Sequence, residues 1–187
     1  MKNEIARLSM EHGNFRKLLD LLEAQLDLFH KGEQPDYSLM TDILHYMTRY
    51  PDGFHHPTED VIFSYLLERD PGVAPSVEEL ARQHHVIAES GARLHENLQS
   101  VIAGTMMPRK MVEAPGLQYV TYYRTHMDTE ESDLFLLAER LLREDDWKMI
   151  NDKVLSESDP MFGASIEERY CAVYNHIAQA DDGSRAS

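Results

Sequence analysis

Apolar residues recur along most of this chain at alternating steps of three and four, a spacing that lays one stripe along each helix and suits helices packed side by side. In the first segment the stripe reads Ile5, Leu8, His12, Phe15, Leu19, Leu22, Leu26 and Phe29, and KGEQPD stops it with Gly32 and Pro35. Ser38 is placed to cap a second helix that runs to Tyr50. Pro51, Asp52 and Gly53 interrupt the pattern, which resumes from Phe54 to Leu67 with Pro57 either in a first turn or at a kink. Ser76 and Glu79 read as a capping box for a third helix, whose stripe is Val77, Leu80, His84, Ile87, Gly91, Leu94, Leu98 and Val101. A fourth helix is expected to start near Pro115 and to end at Arg143.

Four helices of about 25–30 residues with short connections predict an all-α, antiparallel up-down four-helix bundle, over residues 1–145. Residues 146–187 form a C-terminal extension: a polar stretch, a short helix from a capping box of Ser165 and Glu168 to Ala178, and a frayed tail, DDGSRAS. The extension either covers one end of the bundle or joins two copies as a homodimer.

Charge narrows the partners. With 33 acidic against 18 basic residues the chain carries a formal charge of −15, which repels phosphate backbones and anionic lipid, so neither nucleic acid nor a membrane surface is expected. The start, MKNEIARLSMEH, has Glu4, Arg7 and Glu11 where a signal peptide is apolar, and no apolar run approaches the roughly 18 residues of a membrane span. The lone cysteine, Cys171, excludes an internal disulfide and a Cys-based zinc site and reads as a small apolar filler. A soluble, cytoplasmic protein is expected.

The chemistry sits where polar residues interrupt the stripes. Ten histidines are present, and a glutamate follows both His55 and His126 at four residues. At about 100° per residue, Glu130 lies about 40° from His126 and points inward with it, while Glu131 lies about 140° away, off the apolar face. By the same arithmetic Glu59 lies about 40° from His55, His56 about 100° away at the edge of the face, and Asp60 about 140° away. Six inward polar groups therefore come from four helices: His12, His55, Glu59, His84, His126 and Glu130. Burying two uncompensated carboxylates costs several kcal/mol each, and no lysine or arginine shares these stripes. A cation resolves the conflict. Four imidazoles and two carboxylates exceed one tetrahedral site and suit two metals about 3.5–4 Å apart, with iron, manganese or zinc preferred over calcium or magnesium. The Glu-x-x-His spacing of ferritin-like bundles is missing; here the order is His-x-x-x-Glu.

EHGNF around His12, FHHPTEDVIF around His55, RQHHVI around His84 and THMDTEESDLF around His126 resemble the hemerythrin-like proteins with the HHE cation-binding domain. The resemblance covers residues 1–145. It implies an up-down bundle around two non-haem irons, oxo- or hydroxo-bridged, with manganese or zinc as substitutes. It implies binding or sensing of O2 or a related small molecule, with turnover of peroxide or nitric oxide, or iron handling, as the alternative. A metal-binding protein is thus expected rather than a dedicated enzyme. Matched position by position, the metal ligands are His12, His55, Glu59, His84, His126 and Glu130.

In one respect the chain departs from the oxygen carriers, which have two histidines four residues apart on the third helix. Here His84 has Leu80 and Ala88 at those positions. The missing imidazole leaves a coordination position for water, a small anion or another side chain, and favours redox turnover or sensing over carriage. Tyr119 and Tyr122 lie within about 40° of His126 and are placed to offer a hydroxyl.

Overall fold

The computed structural model describes residues 3–155 and 157–185. Its α-helices are α1 (Asn3–His30), α2 (Tyr37–Met47), α3 (His56–Arg69), α4 (Ala74–Ile102), α5 (Lys110–Thr129), α6 (Phe135–Leu141), α7 (Glu144–Lys153) and α8 (Cys171–Arg185). Wide π-turns join α2 to α3 (Pro51–His55) and α5 to α6 (Glu130–Leu134). Four rods result: α1, α2–α3, α4 and α5–α6. α1 packs on α2 and α5, α4 on α2 and α5, and α3 on α4 and α6. This is the expected helical bundle, and no strand occurs among the described residues. No helix among them is long and apolar enough to cross a membrane. The extension lies against the bundle, α7 on α3 and α8 on α1 and α2.

Several helix ends differ from the sequence reading. Asp36, not Ser38, caps α2 by accepting the Leu39 N–H at 2.9 Å. α4 begins at Ala74 directly after a 3₁₀ turn (Pro71–Val73), so Ser76 lies within its first turn and caps nothing. α5 begins at Lys110 and carries Pro115 inside it. Proline cannot donate to the Met111 carbonyl one turn earlier, and the Asn97 side chain donates to that carbonyl instead, at 3.2 Å. α7 was not expected; Trp147 and Ile150 are buried on it, and the Asp146 carboxylate accepts from the Arg143 N–H and from Arg69. Ser165 and Glu168 do not start α8, which follows a 3₁₀ turn (Glu168–Tyr170) and stays helical to Arg185 where a frayed tail was expected. The last two residues, 186–187, lie outside the described residues. Cys171 is exposed rather than a core filler.

The core is split. One apolar cluster gathers Phe15, Leu19, Met40, Ile43, Ile87, Leu94, Val120 and Val173; another gathers Leu8, Ile62, Phe63, Leu80, Leu134, Phe135 and Trp147. Along α1 the boundary falls between Leu8 and Phe15, with His12 between them; along α4 it falls between Leu80 and Ile87, with His84 between them. A polar layer thus crosses the bundle at one depth. α4 also approaches its neighbours closely at Gly91, where an added Cβ would stand 2.9 Å from Thr48 Cγ2 and 3.1 Å from the Tyr119 ring.

Candidate metal centre

Seven buried side chains meet in this layer: His12, His55, His56, Glu59, His84, His126 and Glu130. Glu59 Oε1 lies 3.0 Å from His55 Nε2 and 3.5 Å from His12 Nε2, while its Oε2 lies 3.4 Å from His84 Nε2. Glu130 Oε2 lies 3.5 Å from His12 Nε2 and 3.4 Å from His126 Nε2, and its Oε1 lies 3.4 Å from His84 Nε2. Both carboxylates therefore span two groups of imidazoles. The ligand atoms form two clusters sharing Glu59: His12, His55 and Glu59, and His56, Glu59, His84 and His126.

All six residues singled out in the sequence come together, and a seventh, His56, joins them. A uniform α-helix put His56 at the edge of the face, and the first π-turn overturns this. Pro51 has no N–H to give, and the His56 N–H bonds the Pro51 carbonyl five residues back. The wider turn shrinks the angle between successive side chains, so His55 and His56 both point inward, at 1% and 4% exposure. The second π-turn, closed by the Phe135 N–H on the Glu130 carbonyl, brings two successive glutamates to the two nitrogens of His12. Glu130 faces the inner nitrogen of His12, and Glu131, which the arithmetic had placed off the face, reaches the outer one: its Oε1 accepts from His12 Nδ1 at 2.9 Å.

Each imidazole has an oxygen at its outer nitrogen. Besides the His12–Glu131 pair, His55 Nδ1 donates to Glu11 at 2.7 Å and His126 Nδ1 donates to Gln83 Oε1 at 3.0 Å. His56 Nδ1 faces Asp52 at 3.1 Å and His84 Nδ1 faces Asp60 at 3.4 Å. Such outer partners orient metal-ligating histidines and raise their basicity. Two are themselves held: Arg16 grips both oxygens of Glu131 at 3.0 and 2.9 Å, and Arg7 and the Tyr50 hydroxyl both donate to Glu11.

The layer demands positive charge. Burial opposes ionisation of Glu59, yet His55, His12 and His84 hold its carboxyl well below the usual range. Burial and the neighbouring Glu59 raise Glu130 above it, because two adjacent carboxylates cannot both ionise cheaply. Against the cost of burial, Glu59 and Glu11 lift His55 to about 9, and Asp60, Glu130 and Glu59 lift His84 to about 11. Burial and His84 push His126 down to about 2 and His56 well below its ordinary value. Both Glu59 oxygens, Glu130 Oε2 and His126 Nε2 are buried without a hydrogen-bond partner. Orphaned acceptors converging from several helices are the donor set a divalent metal needs, so the residues fit a metal.

The remaining candidates fall elsewhere. Tyr123, rather than Tyr119 or Tyr122, reaches the layer, with its hydroxyl 3.3 Å from His56 Nε2. His85 is exposed beside Glu89. His45 bonds the Tyr170 hydroxyl and contacts the His95 ring, far from the layer along α2 and α4. The missed member of the layer, His56, had one signal in the sequence: a Pro-Asp-Gly break directly upstream of adjacent histidines.

Compared with known families, residues 3–138 match the hemerythrin HHE cation binding domain. No curated protein and no solved structure matches the chain significantly. The family match spans most of the chain and ends within α6, and it includes every residue of the polar layer. The chain belongs to the hemerythrin HHE cation-binding family and is a metal-binding protein.

Proposed function

We propose that this chain holds two non-haem irons and uses them to bind or sense O2 or a related small molecule. His12 and His55 would hold one metal, His56, His84 and His126 the other, and Glu59 and Glu130 would bridge them. The observation that carries the reading is the sidedness of the imidazoles: all five turn Nδ1 outward to an oxygen, and four turn Nε2 onto the two buried glutamates. A layer of merely satisfied core histidines has no reason to share that orientation. Iron, when bound, supplies the electrons for capturing O2. The protein supplies fixed donors, outer oxygens that hold each Nδ1 and leave Nε2 to face the metal, and apolar clusters above and below that exclude water.

Turnover of peroxide or nitric oxide drew support from a missing imidazole. His56 brings the number of imidazoles in the layer to five, and that ground for turnover falls away. Metal analysis with an anaerobic optical titration tests the assignment. Two irons per chain are expected, with an absorption band that appears under O2 and disappears under argon. His56→Ala lowers the metal content, whereas His85→Ala leaves it unchanged. Little iron after anaerobic purification, or irreversible oxidation with consumption of peroxide, overturns the binding reading.

A further inference from the structure

Tyr123 is 1% exposed on α5, and its hydroxyl has one hydrogen-bond partner among the described residues, His56 Nε2 at 3.3 Å. Four rings flank it: Phe15, Tyr119, His56 and His126, at centroid distances of 5.7 to 6.2 Å. With Nδ1 of His56 turned toward Asp52, Nε2 carries the lone pair that accepts the phenol proton. That same lone pair is the one His56 offers a metal. A metal at Nε2 therefore takes away the one acceptor this phenol has among the described residues, inside a region where an unpaired hydroxyl costs about 1–3 kcal/mol. Repairing the loss needs a new acceptor, and a small molecule held at the metal beside His56 supplies one.

We propose that Tyr123 donates a hydrogen bond to the small molecule held at the metal pair. This rests on the metal reading above and adds a residue outside the ligand set. The phenol stands on the side of the layer bordered by the Phe15 and Tyr119 rings, so a molecule bound there meets its hydroxyl. Such a site favours ligands with an acceptor atom, O2 or azide, over those without one. Tyr119 is the internal control: it lies one helical turn earlier, equally buried, with a hydroxyl that makes no hydrogen bond.

The test compares wild type, Tyr123→Phe and Tyr119→Phe, each loaded with iron, for metal stoichiometry and for azide affinity of the ferric form. All three are expected to load equally, and azide is expected to bind Tyr123→Phe about tenfold more weakly, the equivalent of one neutral hydrogen bond. Zinc titration of the metal-free protein gives a second readout: the His56 Nε2 nitrogen resonance moves on loading, and in Tyr123→Phe its metal-free position is already displaced. Equal azide affinities at full loading overturn the proposal while leaving the metal centre intact. A phenolate-to-iron absorption that vanishes in Tyr123→Phe also overturns it, by making the hydroxyl a ligand. Failure of all three proteins to take up metal overturns the metal reading, and this one with it.

Discussion

The Nε2 atoms of His12 and His55 stand 2.9 Å apart in the core, while their Nδ1 atoms donate to Glu131 and Glu11. Both inner nitrogens thus carry lone pairs aimed at each other, an arrangement that needs a proton or a metal between them. Two imidazoles bound side by side to one metal at about 2.1 Å have nitrogens about 3 Å apart. Metal is therefore expected to stabilise the fold. At a free concentration about 1,000 times the dissociation constant, the gain is about 4 kcal/mol, or roughly 10 °C in a chain of this size. Calorimetry with and without a chelator measures it; equal melting temperatures would show that the folded and unfolded chains bind metal alike.

Glu131 is expected to matter although a third of its side chain is exposed. Its carboxyl is held at about 2 by the hydrogen bond from His12 and by Arg16, so it stays ionised behind the imidazole. Glu131→Gln should weaken metal binding about 10–100-fold, the usual effect of losing an outer partner. Competition with a chromophoric chelator reads this directly, and an unchanged affinity would mean that packing alone orients His12.

Gly91 lets α4 approach Thr48 and Tyr119. A methyl group there meets a methyl of Thr48 and the rigid Tyr119 ring; the overpacking costs about 1–3 kcal/mol against the roughly 1 kcal/mol that alanine gains in a helix, so Gly91→Ala should destabilise the fold by about 1 kcal/mol net. Urea melts measure the difference. A stabilised variant would mean that the two helices separate freely at this point.

His45 makes stability depend on pH away from the metal layer. Burial, with Arg169 and Arg49 nearby, lowers it to about 4 from an ordinary 6.5. Between those values the unfolded chain binds a proton that the folded chain refuses, so stability falls as pH drops from about 6.5 toward 4. In chelator, wild type should lose more stability than His45→Gln between pH 7 and pH 5. Equal losses would assign the pH dependence to other groups.

The rods and most of the polar layer were legible because both depend on the same period. His12 and His84 each replace an apolar residue in an otherwise regular stripe, and His55 with Glu59 and His126 with Glu130 share a face at four residues. Glu131 stays off the buried face, with a third of its side chain exposed, but its reach to His12 was missed and His56 was misplaced because the arithmetic assumed 100° per residue through two turns that are wider. Pro51 announces the first of these; nothing in Glu130–Leu134 announces the second, which is visible only where the Phe135 N–H finds its carbonyl. Helix ends fared worst. Asp36 and Ser38 are both good caps, and which one serves depends on where the chain leaves Gln25, whose side chain takes the Asp36 N–H. α7 was missed because six of its ten residues are charged, and its helicity depends on docking Trp147 and Ile150 against α3.

The first wide turn also fixes the phase between two halves of one rod. An α2 that buries Met40, Ile43 and Met47 and an α3 that buries His56, Glu59 and Ile62 are keyed together by the number of residues between them, not by which residues those are. Gly53 illustrates the difference. An added Cβ there meets nothing within 4 Å, so a larger residue is accommodated. Deleting it would rotate the donors of α3 against the oily face of α2, and no repacking could return both to the interior. In this stretch the molecule counts its residues more strictly than it reads them.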